Sequence, residues 1–396
     1  MSVRREVWIT GTGLVSAIGE GLDQHWQRLT AGGPPAYDDK TFAPYISFPL
    51  QPVNFDTQIP KKGDQRQMEA WQRIGVYAAG LALADAGIAG KAEILDKTDM
   101  IVAAGGGERD IAVDAAILTD VRKAEKRDAF VNERLMSDLR PTLFLAQLPN
   151  LLAGNISLVH GVVGSSRTFM GEESSGVDAL RVAYSRIAAG QSEISLVGGA
   201  YNGTRWDLVL LFRLGASMLT APFRPVWDRG PEGGIALAAM GAFVVIESRE
   251  HAEKRGAKPI ARLASMLSSR NPRKPGDAAA TLRDEFKTVA ASVKKDCAVV
   301  ISGASGAEPA TSEEREVLSE IGLPVRATAT HIGNGMEAQF MANVALGCQA
   351  VRTGTLFPAS GSGDVGDAPA TGICQALVTS VGHWRGEGLA LIERID

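Results

Sequence analysis

Residues 165–203 read SSRTFMGEESSGVDALRVAYSRIAAGQSEISLVGGAYNG, from Ser165 to Gly203. The stretch predicts a strand end, a tight turn, a helix, a loop and a second strand. Gly171 stands before the turn, and Ser174, Ser175 and Gly176 suit a helix start. Val177, Leu180, Ala183, Tyr184 and Ile187 then recur at helical spacing, and Gly190 ends the helix. Ile194–Val197 is a short apolar strand running into Gly198 and Gly199. Free backbone N–H groups and the positive end of the helix dipole point at a residue placed at such a start. That place suits a nucleophile whose anion needs stabilising. The side chains on offer there are two acids, Glu172 and Glu173.

Outward from this stretch, 396 residues suit two fused α/β halves, and an apolar fraction of 45% supports large cores. A net charge of −4 argues against a nucleic-acid partner. Cys297, Cys348 and Cys374 are widely spaced and odd in number, which predicts neither a metal cluster nor a disulfide framework and fits a reducing cytoplasm. No signal peptide is expected, because strand-like Val7–Thr10 begins at once, and no run of about 18 apolar residues predicts a membrane span. Gly11-Thr12-Gly13 follows that strand as a glycine-rich turn. It is not a dinucleotide loop, because Ser16 takes the third glycine's place. Helices are expected over Asp23–Ala31, Met68–Ala86, Glu313–Ile321 and Met336–Ala350. Strands are expected at Met100–Ala104, Phe243–Ile246, Lys258–Leu267, Ala298–Ser302 and Gly388–Ile392. Asp110–Ala146 is charged and helical in tendency. The same β/α order recurs on both sides of residue 250.

The turn Gly171-Glu172-Glu173-Ser174-Ser175-Gly176 resembles the nucleophile turn of the β-ketoacyl-acyl carrier protein synthases, T-A-C-[ST]-S-G, with its following helix and V-x-G-G-[AC] strand. Arg4 to Gly19 resembles the same family's opening. The resemblance implies an α/β thiolase-like fold. Two pseudo-repeated βαβαβ halves, 1–250 and 251–396, would form a five-layer α-β-α-β-α arrangement. It also places Glu173 where the nucleophilic cysteine belongs.

A ketosynthase needs a thiolate, two imidazoles and backbone N–H groups for the oxyanion. At the first family histidine, the run Val300-Ile301-Ser302-Gly303-Ala304-Ser305-Gly306 supplies Gly303. In the second histidine motif, His331 matches the imidazole, Arg326 the family lysine and Glu337 its carboxylate partner. The gate loop N-[ST]-F-G-F-G-G-[TH]-N is similar to Thr379-Ser380-Val381-Gly382-His383-Trp384-Arg385-Gly386-Glu387, which makes Val381, Gly382, His383 and Trp384 the acyl-pocket gate. Bulky Trp384 and Arg385 replace flexible glycines there.

Two readings of Glu173 stay open: a plain helix-start acid, or a carboxylate that occupies the acyl site and mimics a bound group. His331 is either a catalytic or a buried structural histidine. The resemblance implies no cofactor of the chain's own, acyl carrier protein with its phosphopantetheine arm as substrate carrier, and a dimer. The leading expectation is a condensation-deficient homologue, like chain-length-factor subunits, paired with an active ketosynthase in a heterodimer; a homodimer is the other arrangement. Alternatives are a malonyl-carrier decarboxylase using His331 and a non-catalytic acyl or carrier-protein binding module.

Overall fold

The computed structural model describes residues 4–141, 143–215 and 218–395. Its strands are Val7–Ser16 (β1), Gly19–Glu20 (β2), Ser47–Phe48 (β3), Asp99–Ala104 (β4), Ser166–Phe169 (β5), Ile194–Asn202 (β6), Leu237–Ser248 (β7), Ala261–Ser269 (β8), Ala298–Ser302 (β9), Val325–Ala327 (β10), Gln375–Val381 (β11) and Glu387–Glu393 (β12). Six helices organise the layers: Ala70–Asp85 (α1), Leu151–His160 (α2), Glu172–Ala188 (α3), Asp277–Val289 (α4), Ala310–Ile321 (α5) and Gln339–Thr353 (α6).

Ten strands follow one path, β10-β9-β11-β12-β8-β1-β7-β6-β4-β5. Read outward from the β1–β8 junction, the two arms are the same. β1–β7 and β7–β6 are antiparallel, and β6–β4 and β4–β5 are parallel. Likewise β8–β12 and β12–β11 are antiparallel, and β11–β9 and β9–β10 are parallel. α3 lies between β5 and β6 in the chain, and α6 lies between β10 and β11, the equivalent place. The pseudo-repeat is thus carried by topology.

Side-chain alternation along these strands builds the five layers. Ile101 and Ala103 of β4, Val299 and Ile301 of β9, and Val378 of β11 join α3 and α6 in one central core. Met100 and Val102 of β4 point the other way, into a core shared with α1 and α2. Val300 of β9 and Leu377 of β11 meet α4 and α5 in a third. Strands covered on both faces read as near-continuous apolar runs, as Ile194–Val197 and Ala298–Ile301 do.

The structure corrects the glycine-rich turn expected at residues 11–13. β1 runs as one strand to Ser16, with a single register shift against β7 between Ile9 and Gly11. Its glycines serve close packing: a Cβ on Gly11 or Gly13 would collide with the α1 backbone carbonyls of Ala82 and Ala78. The expectation of unpaired cysteines is also corrected, because Cys297 and Cys374 form a disulfide with Cα atoms 5.3 Å apart. Both precede neighbouring parallel strands whose register sets Gln375 opposite Ala298, so the fold itself brings the two thiols together. Cys348 is free and buried. Strands expected at residues 194–197, 243–246 and 388–392 extend at one or both ends, and the helix expected from Met336 begins as a 3-10 turn, Met336–Ala338, before α6. No helix among the described residues is long and apolar enough to cross a membrane.

Candidate functional site

α3 begins immediately after Gly171, and Glu172 carries a left-handed φ of 58°. A non-glycine residue held there is strained, and such strain collects at functional turns. Ser174 Oγ donates to the Gly171 carbonyl and Ser175 Oγ to the Glu172 carbonyl, each at 2.7 Å, which ties down the turn. The serines are therefore turn residues. Glu173, next in the helix, is buried, while the Glu172 side chain is about a third exposed.

A second element closes over this start. β11 and β12 pair from Val381 opposite Glu387, leaving a five-residue turn over Gly382–Gly386. The Gly382 N–H donates to the Gly386 carbonyl at 2.9 Å. Arg273 pins the turn from outside. Its Nη2 donates to the Gly382 carbonyl at 2.6 Å, and its Nη1 pairs with buried Glu387 at 2.6 Å. The turn holds His383 inward, with Nδ1 lying 2.9 and 3.1 Å from the two Glu173 carboxylate oxygens. Phe212 and Trp384 flank the imidazole, with ring centroids 5.4 and 5.3 Å away. Trp384 itself is half exposed.

Burial pushes the Glu173 carboxyl up, but the His383 charge and hydrogen bond override it and hold the group below its ordinary value. Burial likewise pushes the His383 imidazole down, and Glu173 followed by Glu172 raises it above its ordinary value. The pair is a buried carboxylate–imidazolium, with the anion at the positive end of a 17-residue helix.

Glu337 arrives from the pseudo-equivalent place. It lies in the Met336–Ala338 turn that leads into α6, and its backbone carbonyl packs so tightly on the start of α3 that a Cβ on Gly176 would come within 2.7 Å. Its carboxyl is fully buried and is pushed up to about 8, mainly by burial and then by the charges of Glu173 and Glu172. The Tyr201 hydroxyl is buried in the same field and is raised well above its ordinary value, chiefly by burial and then by Glu337. Nothing in the sequence reading pointed to Tyr201 or to Glu172 as partners. The doubled acid at the helix start was the one available signal for Glu172.

The structure brings Glu173, His383 and Glu337 together, with Trp384 against the imidazole, and gives His331, Arg326 and Gly303 other surroundings. His331 Nε2 is 2.9 Å from Ser360 Oγ, its ring stands edge-on to Phe357, and burial pushes it down to about 4, so it is neutral. Arg326 donates to the carbonyls of Phe357, Val325 and Val365. Both side chains thus hold residues 357–365 in place. Gly303 sits where a Cβ would come 2.5 Å from the Thr379 carbonyl, so the β9 end leaves no room for a side chain. Val381 and Gly382 form the end of β11 and the first residue of the turn.

Comparison with known proteins gives three findings. The sequence profile described as Beta-ketoacyl synthase, N-terminal domain, matches residues 4–252. Among curated relatives, the 3-oxoacyl-[acyl-carrier-protein] synthase 2 of Vibrio harveyi is 25% identical over 66% of this chain and 62% of its own length. The tetracenomycin polyketide synthase ketoacyl synthase beta subunit of Streptomyces glaucescens is 26% identical over 96% of this chain and 92% of its own. The chain thus matches about three fifths of the length of the first of these. Among solved structures, the ishigamide ketosynthase/chain length factor superposes with a TM-score of 0.80 at 18% identity, covering 99% of this chain and 100% of that one. A β-ketoacyl synthase from Burkholderia phymatum STM815 does so at 0.80 and 20%, again covering 99% and 100%.

Proposed function

The chain belongs to the β-ketoacyl synthase family, and on that premise we propose that it is a condensation-deficient member that supports an active synthase in acyl-chain assembly. The observation that carries this is the state of Glu173. The residue at the nucleophile position of the family turn is a buried carboxylate, already engaged by the gate-loop His383. A carboxylate attacks a thioester poorly, and an acyl anhydride formed there would hydrolyse, so no durable acyl-enzyme forms.

Two further features support the reading. Gly303 lacks both an imidazole and the room for one. The gate turn is pinned by Arg273 and blocked by the His383–Glu173 pair, rather than free to swing. Intact cores with the chemistry removed fit a subunit that completes a partner's pocket. The relative of beta-subunit type that spans nearly the whole chain points the same way. The partner proposed is an active ketosynthase in a heterodimer, with acyl carrier protein delivering the substrate. The decarboxylase alternative routes its chemistry through His331, whose ring is engaged with Ser360.

The test is co-expression with an active ketosynthase and an acyl carrier protein, followed by native mass spectrometry. A one-to-one heterodimer that alters product length or synthase stability is expected. A homodimer that ignores the synthase, or a stable acyl adduct on this chain, would overturn the reading.

A further inference from the structure

The same turn holds an arrangement that the acyl-assembly reading does not use. Glu172, Glu173 and His383 each present a ligand-type atom, and the three lie within 4.8 Å of one another. His383 is orientated in a specific way. Its Nδ1 is fixed by Glu173, and its Nε2 is buried with no hydrogen-bond partner among the described residues. That free nitrogen faces Glu172 Oε1 at 3.9 Å. A buried polar nitrogen without a partner is costly, so its retention calls for an occupant. A histidine whose other nitrogen donates to a carboxylate is the usual way a protein sets the tautomer of a metal ligand.

We propose that Glu172 and His383 bind a divalent transition-metal ion of the zinc(II) or cobalt(II) class, with Glu173 as the positioning carboxylate. The direct ligands are His383 Nε2 and a Glu172 carboxylate oxygen. On a tetrahedral zinc such a pair sits about 3.3 Å apart, so the ligands close by less than about 1 Å. Mixed imidazole and carboxylate donors suit zinc and its neighbours better than calcium or magnesium. Glu172 is the member open to solvent, which gives the ion a path in. Glu337 adds a second buried atom without a partner, Oε2, whose carboxyl lies in the field of both other acids. Arg385 and the positive helix end oppose a cation. The Glu172 and Glu173 carboxylates, with a neutral imidazole, outweigh them once the ion displaces the imidazolium proton. The inference stands apart from the proposed partnership, because it is read on the isolated chain.

The experiment titrates zinc(II) alone into the chelator-treated full chain by calorimetry, and cobalt(II) by visible absorption. One ion per chain is expected, with cobalt bands reporting imidazole coordination. Binding is lost in His383→Ala and weakened in Glu172→Gln. Glu173→Gln, which removes only the positioning charge, weakens it about 10- to 100-fold. Thermal melting confirms that each variant folds. If His383→Ala fails to fold, Glu172→Gln, at a side chain about a third exposed, carries the test. No saturable binding, or binding unchanged in both the Glu172 and His383 variants, overturns the proposal.

Discussion

The Glu173–His383 pair makes a quantitative prediction through His383→Ala. The substitution removes the imidazolium and leaves Glu173 in a buried site with its two oxygens stripped of that donor. Breaking a buried ion pair from one side costs about 3–5 kcal/mol. Glu173 can limit the loss by taking a proton, so about 3 kcal/mol is expected. Unfolding entropy for 396 residues scales to about 0.8 kcal/mol/K, so the melting point falls by about 4 °C. The pH dependence carries the sign. His383 is raised in the fold, so its contribution is full below its ordinary value of 6.5 and fades as pH rises through the folded value. Glu173 is depressed, so its contribution is present above 4.5 and fades as pH falls through the folded value. The deficit of His383→Ala should therefore be largest between about pH 4.5 and 6.5 and shrink on either side. Differential scanning calorimetry across pH 4–9 reads this directly. Glu173→Gln should cost less than His383→Ala at pH 6, because a buried imidazolium sheds its proton near its ordinary value more cheaply than a carboxylate gains one. A deficit that stays flat across the pH range, or one below about 1 °C at pH 6, refutes the pair as described.

Three further outcomes are expected. Glu337 holds its proton up to about pH 8, so the folded state binds more protons than the unfolded between 4.5 and 8, and stability falls as pH rises through that window; Glu337→Gln should flatten the slope and melt higher than the parent at pH 9. Gly303→His cannot restore a catalytic imidazole, since its Cβ meets the Thr379 carbonyl; it should destabilise by about 1–3 kcal/mol or more, and Glu173→Cys with Gly303→His should show no condensation in a carrier-protein assay. The Cys297–Cys374 link closes a separation of 77 residues, for which loop entropy gives about 4.5 kcal/mol, so Cys297→Ser or reduction should lower the melting point by about 5–6 °C.

The elements best read from sequence were those with a local cause. Glu172–Ala188 announced itself by helical spacing and a glycine on each side, and Ala298–Ser302 by an apolar run. The turn expected at Gly11–Gly13 failed because a glycine in a strand can answer to a helix 70 residues away. Nothing in the local sequence separates a glycine that bends from one that makes room. The disulfide was illegible for the same reason. Its two cysteines meet only because β9 and β11 are neighbours, which is a property of strand order. Within the site, an acid at the helix start, Glu173, was plain from the sequence. The identity of its partner was not, because His383 lies 210 positions away in a turn whose chemistry depends on which way the ring faces. His331 carried the stronger motif match, yet with Arg326 it secures the segment at 357–365.

The pseudo-repeat explains why the site holds two buried acids and how it tolerates them. α3 and the turn before α6 occupy equivalent places in the two arms and meet at their starts, so two positive helix ends converge on one small volume. Each end favours an anion. Two carboxylates in one dry site cannot both ionise cheaply, and the environment divides them. His383 reaches Glu173 and holds it charged, while Glu337 has no such partner, leaves Oε2 unbonded and keeps its proton. The Glu173 carboxylate takes the His383 imidazole as its counter-ion. The pair therefore makes a clasp of the Gly382–Gly386 turn, and the clasp, pinned by Arg273 from outside, is what the His383→Ala melting profile measures.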